Sequence, residues 1–185
     1  SFMHLADADE RLVSSRIWTD QRHIEQALVD LTDHLENVIQ KYLRNDYETI
    51  AQYNEAAGEI AEPYRFLVLQ DFPTNLSEIA AKRLASLLTS GPRCGIFTLI
   101  HQDHRHALPR GFDEAVLERG TWILEQRGDH FHPAEPELSE FKVELQDEIG
   151  DEQATRVIQA VGAAAIDASV LLGKFPSAGR FDDNF

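Results

Sequence analysis

Two short stretches, the continuous apolar run from Phe66 to Leu69 and the largely apolar "CGIFTLIHQ" at 94–102, constrain this chain more than any other feature. Each is too short for a helix of its own, and a run without polar interruption suits a strand covered on both faces. Between them, Asn75 followed by Glu78 gives a capping-box start, and Leu76, Ile79, Ala80, Leu84, Leu87 and Leu88 keep helical spacing. Gly91-Pro92 then stops the helix. A strand, a helix and a second strand joined by so long a crossover form a right-handed βαβ unit, so the two strands are expected to be parallel.

The flanks extend this pattern. From Thr19, a candidate N-cap, Ile24, Leu28, Leu31, Leu35, Val38, Ile39 and Tyr42 recur at three-and-four spacing, which predicts a long amphipathic helix from Asp20 to Leu43. Its apolar face is wider than a heptad seam, which favours packing on the chain's own core over a coiled coil or a partner. A shorter helix is expected over Tyr47 to Ala57, with Gly58 as its stop. Downstream, 121–126 and 141–145 read as strands with a loop between them, and 151–169 as a helix that is acidic at its start. One module over 1–170 and a linker or tail over 171–185 are expected.

Charge restricts the partners. Against 32 acidic residues stand 17 basic ones, a net −15, and no lysine or arginine run supplies a local basic face. Such a chain repels phosphate backbones and is a poor grip for nucleic acid by itself. The single cysteine, Cys94, forms no internal disulfide, and neither a signal peptide nor a membrane anchor is visible, so a cytoplasmic location is the default expectation.

A parallel α/β sheet binds ligands beyond the carboxyl ends of its strands, where Asp71 and Gln102 both fall. A hydrophobic strand ending in aspartate is the Walker B arrangement, whose carboxylate holds magnesium, and a polar residue ending the neighbouring strand senses the γ-phosphate or the attacking water. The stretch "AEPYRFLVLQDFPTNLSEIAAKRLASLLTSGPRCGIFTLIHQD" resembles the Walker B strand, helix and sensor strand of FtsK/SpoIIIE-type DNA-translocating ATPases. The resemblance covers about residues 20–105, with "GPRCG" at the family's basic, Gly-containing turn. It implies a P-loop NTPase-like (RecA-like) layered α/β/α domain with a mainly parallel sheet. It also implies Asp71 as magnesium ligand, Gln102 as sensor, and ATP with Mg2+ as cofactors if a P-loop is supplied upstream. The implied partners are the rest of a multi-module polypeptide, further copies in a homo-oligomer, and DNA through the full-length motor.

Two departures qualify that resemblance. Phe72 stands where the family has the glutamate that polarises the attacking water, and no GxxxxGK[ST] occurs in the chain. Either the P-loop lies upstream in a longer protein, or this is a degenerate module serving assembly or regulation, and Phe72 favours degeneracy. A structural or interaction domain that binds no nucleotide is the alternative of a different class.

Other constellations compete with plainer explanations. His101, Asp103, His104 and His106, with His130 and His132 further on, have the donor types of a transition-metal site but no recognised spacing, and a solvated loop accounts for them as well. Cys94, beside a buried strand, suits a core thiol better than a nucleophile. Arg83 and Arg93 are either trans-acting arginines of a ring assembly or ordinary surface charges. Trp18 and Trp122 carry no functional signal.

Overall fold

The computed structural model describes residues 17–44, 46–144 and 150–172. Two compact units emerge, one spanning 18–145 and the other formed by 1–17 with 146–185. The opening segment up to residue 16 lies outside the described residues, as does all of the expected tail over 171–185 except its first two residues, which end a helix.

In the larger unit, helix α1 (Gln21–Val38) starts at Asp20, whose carboxylate accepts the Arg22 amide at 2.9 Å, one residue after the expected cap. It ends in a π-helical turn, Ile39–Leu43. Leu28, Thr32, Leu35 and Val38 form its buried face. That face packs on α3 (Glu78–Ser90), whose Ala80 and Ala81 are short enough to let the helices approach. Arg83 is turned into this contact: its guanidinium donates to Thr32 Oγ1 at 2.7 Å, and Thr32 in turn donates to the Leu28 carbonyl. The wide apolar face of α1 therefore serves the unit's own core.

Helix α2 (Ile50–Ala57) begins three residues later than expected, because Thr49 and Gln52 form a reciprocal capping box. Gly58 ends it at φ 59°. At α3 the expected cap also moves, since Ser77, not Asn75, accepts the Ala80 amide at 3.0 Å. Asn75 is instead left-handed at φ 57° and donates to the Thr19 carbonyl at 3.0 Å. An asparagine tolerates that conformation, so the chain completes its turn before the helix starts.

Strands β1 (Arg65–Phe72) and β2 (Ile96–Gln102) pair in parallel around α3, as expected of a βαβ unit. The register sets Phe66 beside Phe97 and Val68 beside Leu99. Leu67, Leu69 and Ile96 face the helices, where they join Leu28, Ile50, Leu84 and Leu87 in the core. Coverage on both faces does not hold. Phe66, Val68, Phe97 and Leu99 are exposed, so among the described residues of this unit the sheet has one helical layer and one open apolar face. Among the described residues of this unit the sheet is two-stranded and parallel, as expected in direction, but it lacks the second helical layer of the expected α/β/α arrangement.

Downstream, α4 (Ala115–Gly120) was not anticipated and packs Leu117 beside Leu84 and Leu88. β3 (Leu124–Arg127) and β4 (His130–Pro133) form an antiparallel hairpin turning at Gly128-Asp129. Sequence 130–137 was expected to be a loop, but the Gly-Asp pair is a two-residue hairpin signal and outweighs Pro133 at the strand end. The expected strand at 141–145 reduces to one bridge between Val143 and Phe131; its last residue lies outside the described set. In the other unit, α5 (Asp151–Leu172) carries Asp151 and Glu152 in its first turn. The architecture is thus mixed α/β with two small sheets, one of them parallel. No helix among the described residues is long and apolar enough to cross a membrane.

Candidate functional site at the strand ends

Asp71 lies near the carboxyl end of β1 in a bulge, because the register passes from Leu69–Ile100 to Phe72–Gln102 and leaves Gln70 and Asp71 opposite His101. The bulged aspartate is left-handed, φ 53°. Aspartate tolerates that region better than most residues, yet holding it there still costs on the order of 1 kcal/mol. The Asp71 carbonyl then accepts the Thr74 amide at 2.8 Å, starting the turn into α3. The Phe72 carbonyl accepts the Asp103 amide at 2.9 Å, which continues the strand pairing past the bulge.

The slip decides which side chains meet. Strict alternation from Phe66 would put Phe72 on the open face and Asp71 towards the helices, and the extra residue reverses both. Phe72 is buried against Leu84, Leu88 and Leu117 and contacts the Phe112 ring, centroids 5.6 Å apart. Asp71 is 70% exposed and pairs with the equally open His101, Oδ1 to Nδ1 3.3 Å. So solvated a pair contributes at most about 1 kcal/mol and leaves the second carboxylate oxygen free. Gln102 shares the helix-covered face of β2 with Ile96 and Ile100 and is half-buried. The two expected site residues thus sit on adjoining strands, but the side chain that meets Asp71 is His101.

Beyond β2, Asp103 is committed to Arg105, accepting its backbone amide at 3.0 Å and its guanidinium at 2.6–3.1 Å. These bonds hold the Asp103 carboxyl well below the usual carboxylate range. His106 approaches the same carboxylate at 3.7 Å, His104 is exposed, and His132 lies on β4 against the Ser139 carbonyl. Among the described residues no three His, Cys, Asp or Glu side chains gather as a metal-binding set. Cys94 is a buried core thiol, and burial raises its pKa. Arg93 is exposed, whereas Arg83 is the strut between α1 and α3.

As a place for Mg2+ and ATP, these residues fit only in part. Asp71 offers one accessible carboxylate where a magnesium-bound water can be held. A phosphate chain also needs a cradle of backbone amides, a lysine and a ligating hydroxyl, and the sequence has no Walker A segment to provide them.

A second polar cluster escaped the sequence reading. At the π-helical turn, a groove of about 460 Å³ is lined by His34, Asn37, Lys41, Tyr42 and Glu62 among others. Tyr42 donates to Glu62 Oε2 at 3.1 Å, and His34 Nε2 is buried 3.7 Å from Glu62 Oε1 without a hydrogen bond. The available signal was a histidine on the apolar face of α1, between Leu31 and Leu35.

Burial first and the Arg65 charge second lower the His34 pKa below its ordinary 6.5, against the opposing pull of Glu62. As pH falls through 6.5 the unfolded chain takes up this proton before the folded one does. His34 therefore leaves stability intact above that value and erodes it as pH drops towards the folded pKa. Between about pH 7.5 and 5.5, His34→Gln is expected to lose fewer degrees of Tm than the parent chain. Equal losses would show that His34 is not the group responsible.

No family model, curated protein or solved structure matches this chain.

Proposed function

We propose that this chain is an ATPase-like module of the FtsK/SpoIIIE type, built on an incomplete P-loop NTPase-like, RecA-like α/β/α plan, whose nucleotide site is incomplete as well. The reading rests above all on Asp71. It is an accessible carboxylate, held left-handed in a bulge, at the carboxyl end of a strand whose parallel neighbour follows one intervening helix. Backbone strain of this kind concentrates at functional positions. Degeneracy is favoured over truncation because the position after Asp71 is part of the core, so it is not a spare site from which a catalytic side chain was merely lost. The module would serve assembly or regulation within a larger polypeptide that meets DNA elsewhere.

Calorimetric titration with magnesium-ATP tests this. The chain alone is expected to show no saturable binding. In a longer polypeptide that adds a P-loop strand, binding is expected, and Asp71→Ala should weaken it about tenfold or more, the scale of losing a charged ligand contact. Tight binding by the longer polypeptide that ignores Asp71→Ala would remove Asp71 from the site.

A second reading, an interaction domain that binds no nucleotide, is favoured by a separate observation, the open apolar face of β1 and β2. It would prevail if neither polypeptide bound nucleotide.

A further inference from the structure

The open face of the parallel sheet is continuous. Tyr64, Phe66, Val68, Phe97 and Leu99 are exposed by 49, 69, 43, 37 and 55%. Their rings are already ordered against one another, Phe66 stacked on Phe97 at 5.6 Å and Tyr64 against Phe97 at 5.9 Å. None of the five carries a charge. From these exposures the apolar area amounts to about 500 Å², at the upper end of what a monomer usually leaves in one patch.

We propose that this face is a homodimer interface, covered by the same face of a second copy. Two such patches pressed together bury about 1,000 Å², near the lower limit for a specific but weak association. The geometry suits self-pairing, because sheets stack face to face about 10 Å apart with their side chains interleaved. A two-fold axis lets each Phe66 meet the same patch on its mate. The −15 charge opposes approach of two copies, but charges outside the patch are screened over about 8 Å at physiological salt. The proposal is independent of nucleotide binding.

Sedimentation velocity from roughly 1 to 200 µM, the range suited to a small interface, reads it directly. The parent chain is expected to shift from 20.9 kDa towards twice that mass, more completely at about 0.5 M than at 0.05 M NaCl because repulsion is screened. Phe66→Asp with Leu99→Asp should keep it monomeric at every concentration. The milder Leu99→Thr, which suits a strand, should raise the dimer Kd at least fivefold with an unchanged circular dichroism spectrum. Ile79→Asp, an exposed apolar position on α3, should leave association intact. A parent chain that stays monomeric throughout, a dimer that salt weakens, or one that survives with Asp at 66 and 99 would overturn the proposal.

Discussion

Phe72→Glu, which places at this position the glutamate that FtsK/SpoIIIE-type ATPases carry, is expected to unfold the larger unit and to produce no ATP hydrolysis. The bulge at Gln70 and Asp71 turns position 72 into the core, where Phe72 is 2% exposed and packed against Leu84, Leu88, Leu117 and Phe112. Losing a buried phenyl ring costs about 3–5 kcal/mol. A carboxylate left there without a partner adds several more, or is neutralised at a similar cost. The sum is comparable with the whole stability of a domain, about 5–15 kcal/mol. Urea unfolding of the variant, followed by circular dichroism, should show a collapsed or absent transition. A cooperative transition near that of the parent would mean that position 72 faces solvent, and the case for degeneracy would fall.

Gly91→Ala should destabilise the chain by about 3 kcal/mol and lower its Tm by about 10 °C. A methyl group at Gly91 would run into the Leu87 carbonyl oxygen and lie 2.8 Å from that of Ile96. Both obstacles are backbone and cannot rotate away. The Leu87 carbonyl also belongs to the hydrogen bonds that wind the turn: it accepts the Gly91 amide, and the Gly91 carbonyl accepts the Cys94 and Ile96 amides. Gly128→Ala provides the comparison. That glycine is left-handed at φ 65°, but a methyl group there meets nothing within 4 Å, so only the conformational cost of about 1 kcal/mol applies. Thermal melts of the two variants should differ clearly, and equal losses would refute the close approach at Gly91.

The βαβ unit was legible because its signals agree: two apolar runs, helical spacing between them, and a glycine stop that the structure uses for close packing. The open face was not. An apolar run looks the same whether one or both of its faces are covered, since Phe66 and Leu67 differ in environment but not in character. Asp71 could be placed at a strand end from its position, but its meeting with His101 instead of Gln102 depends on a one-residue slip that no residue type announces. Asn75 looked like the cap and Ser77 was the cap, because either side chain can accept a helix amide and the preceding turn decides between them. Helix α4 was missed because it has only six residues, too few to display a period.

Both the candidate site and the docking face depend on β1 and β2 being parallel neighbours in the register that sets Val68 beside Leu99 and Asp71 beside His101. Proton NOE contacts between the two strands in an isotope-labelled sample at low concentration test this most directly. Contacts linking Phe66 with Phe97, Val68 with Leu99, and the Phe72 ring with Phe112 are expected. Contacts running in the opposite direction, Phe66 with His101 and Leu69 with Thr98, would contradict the unit on which Asp71 is placed.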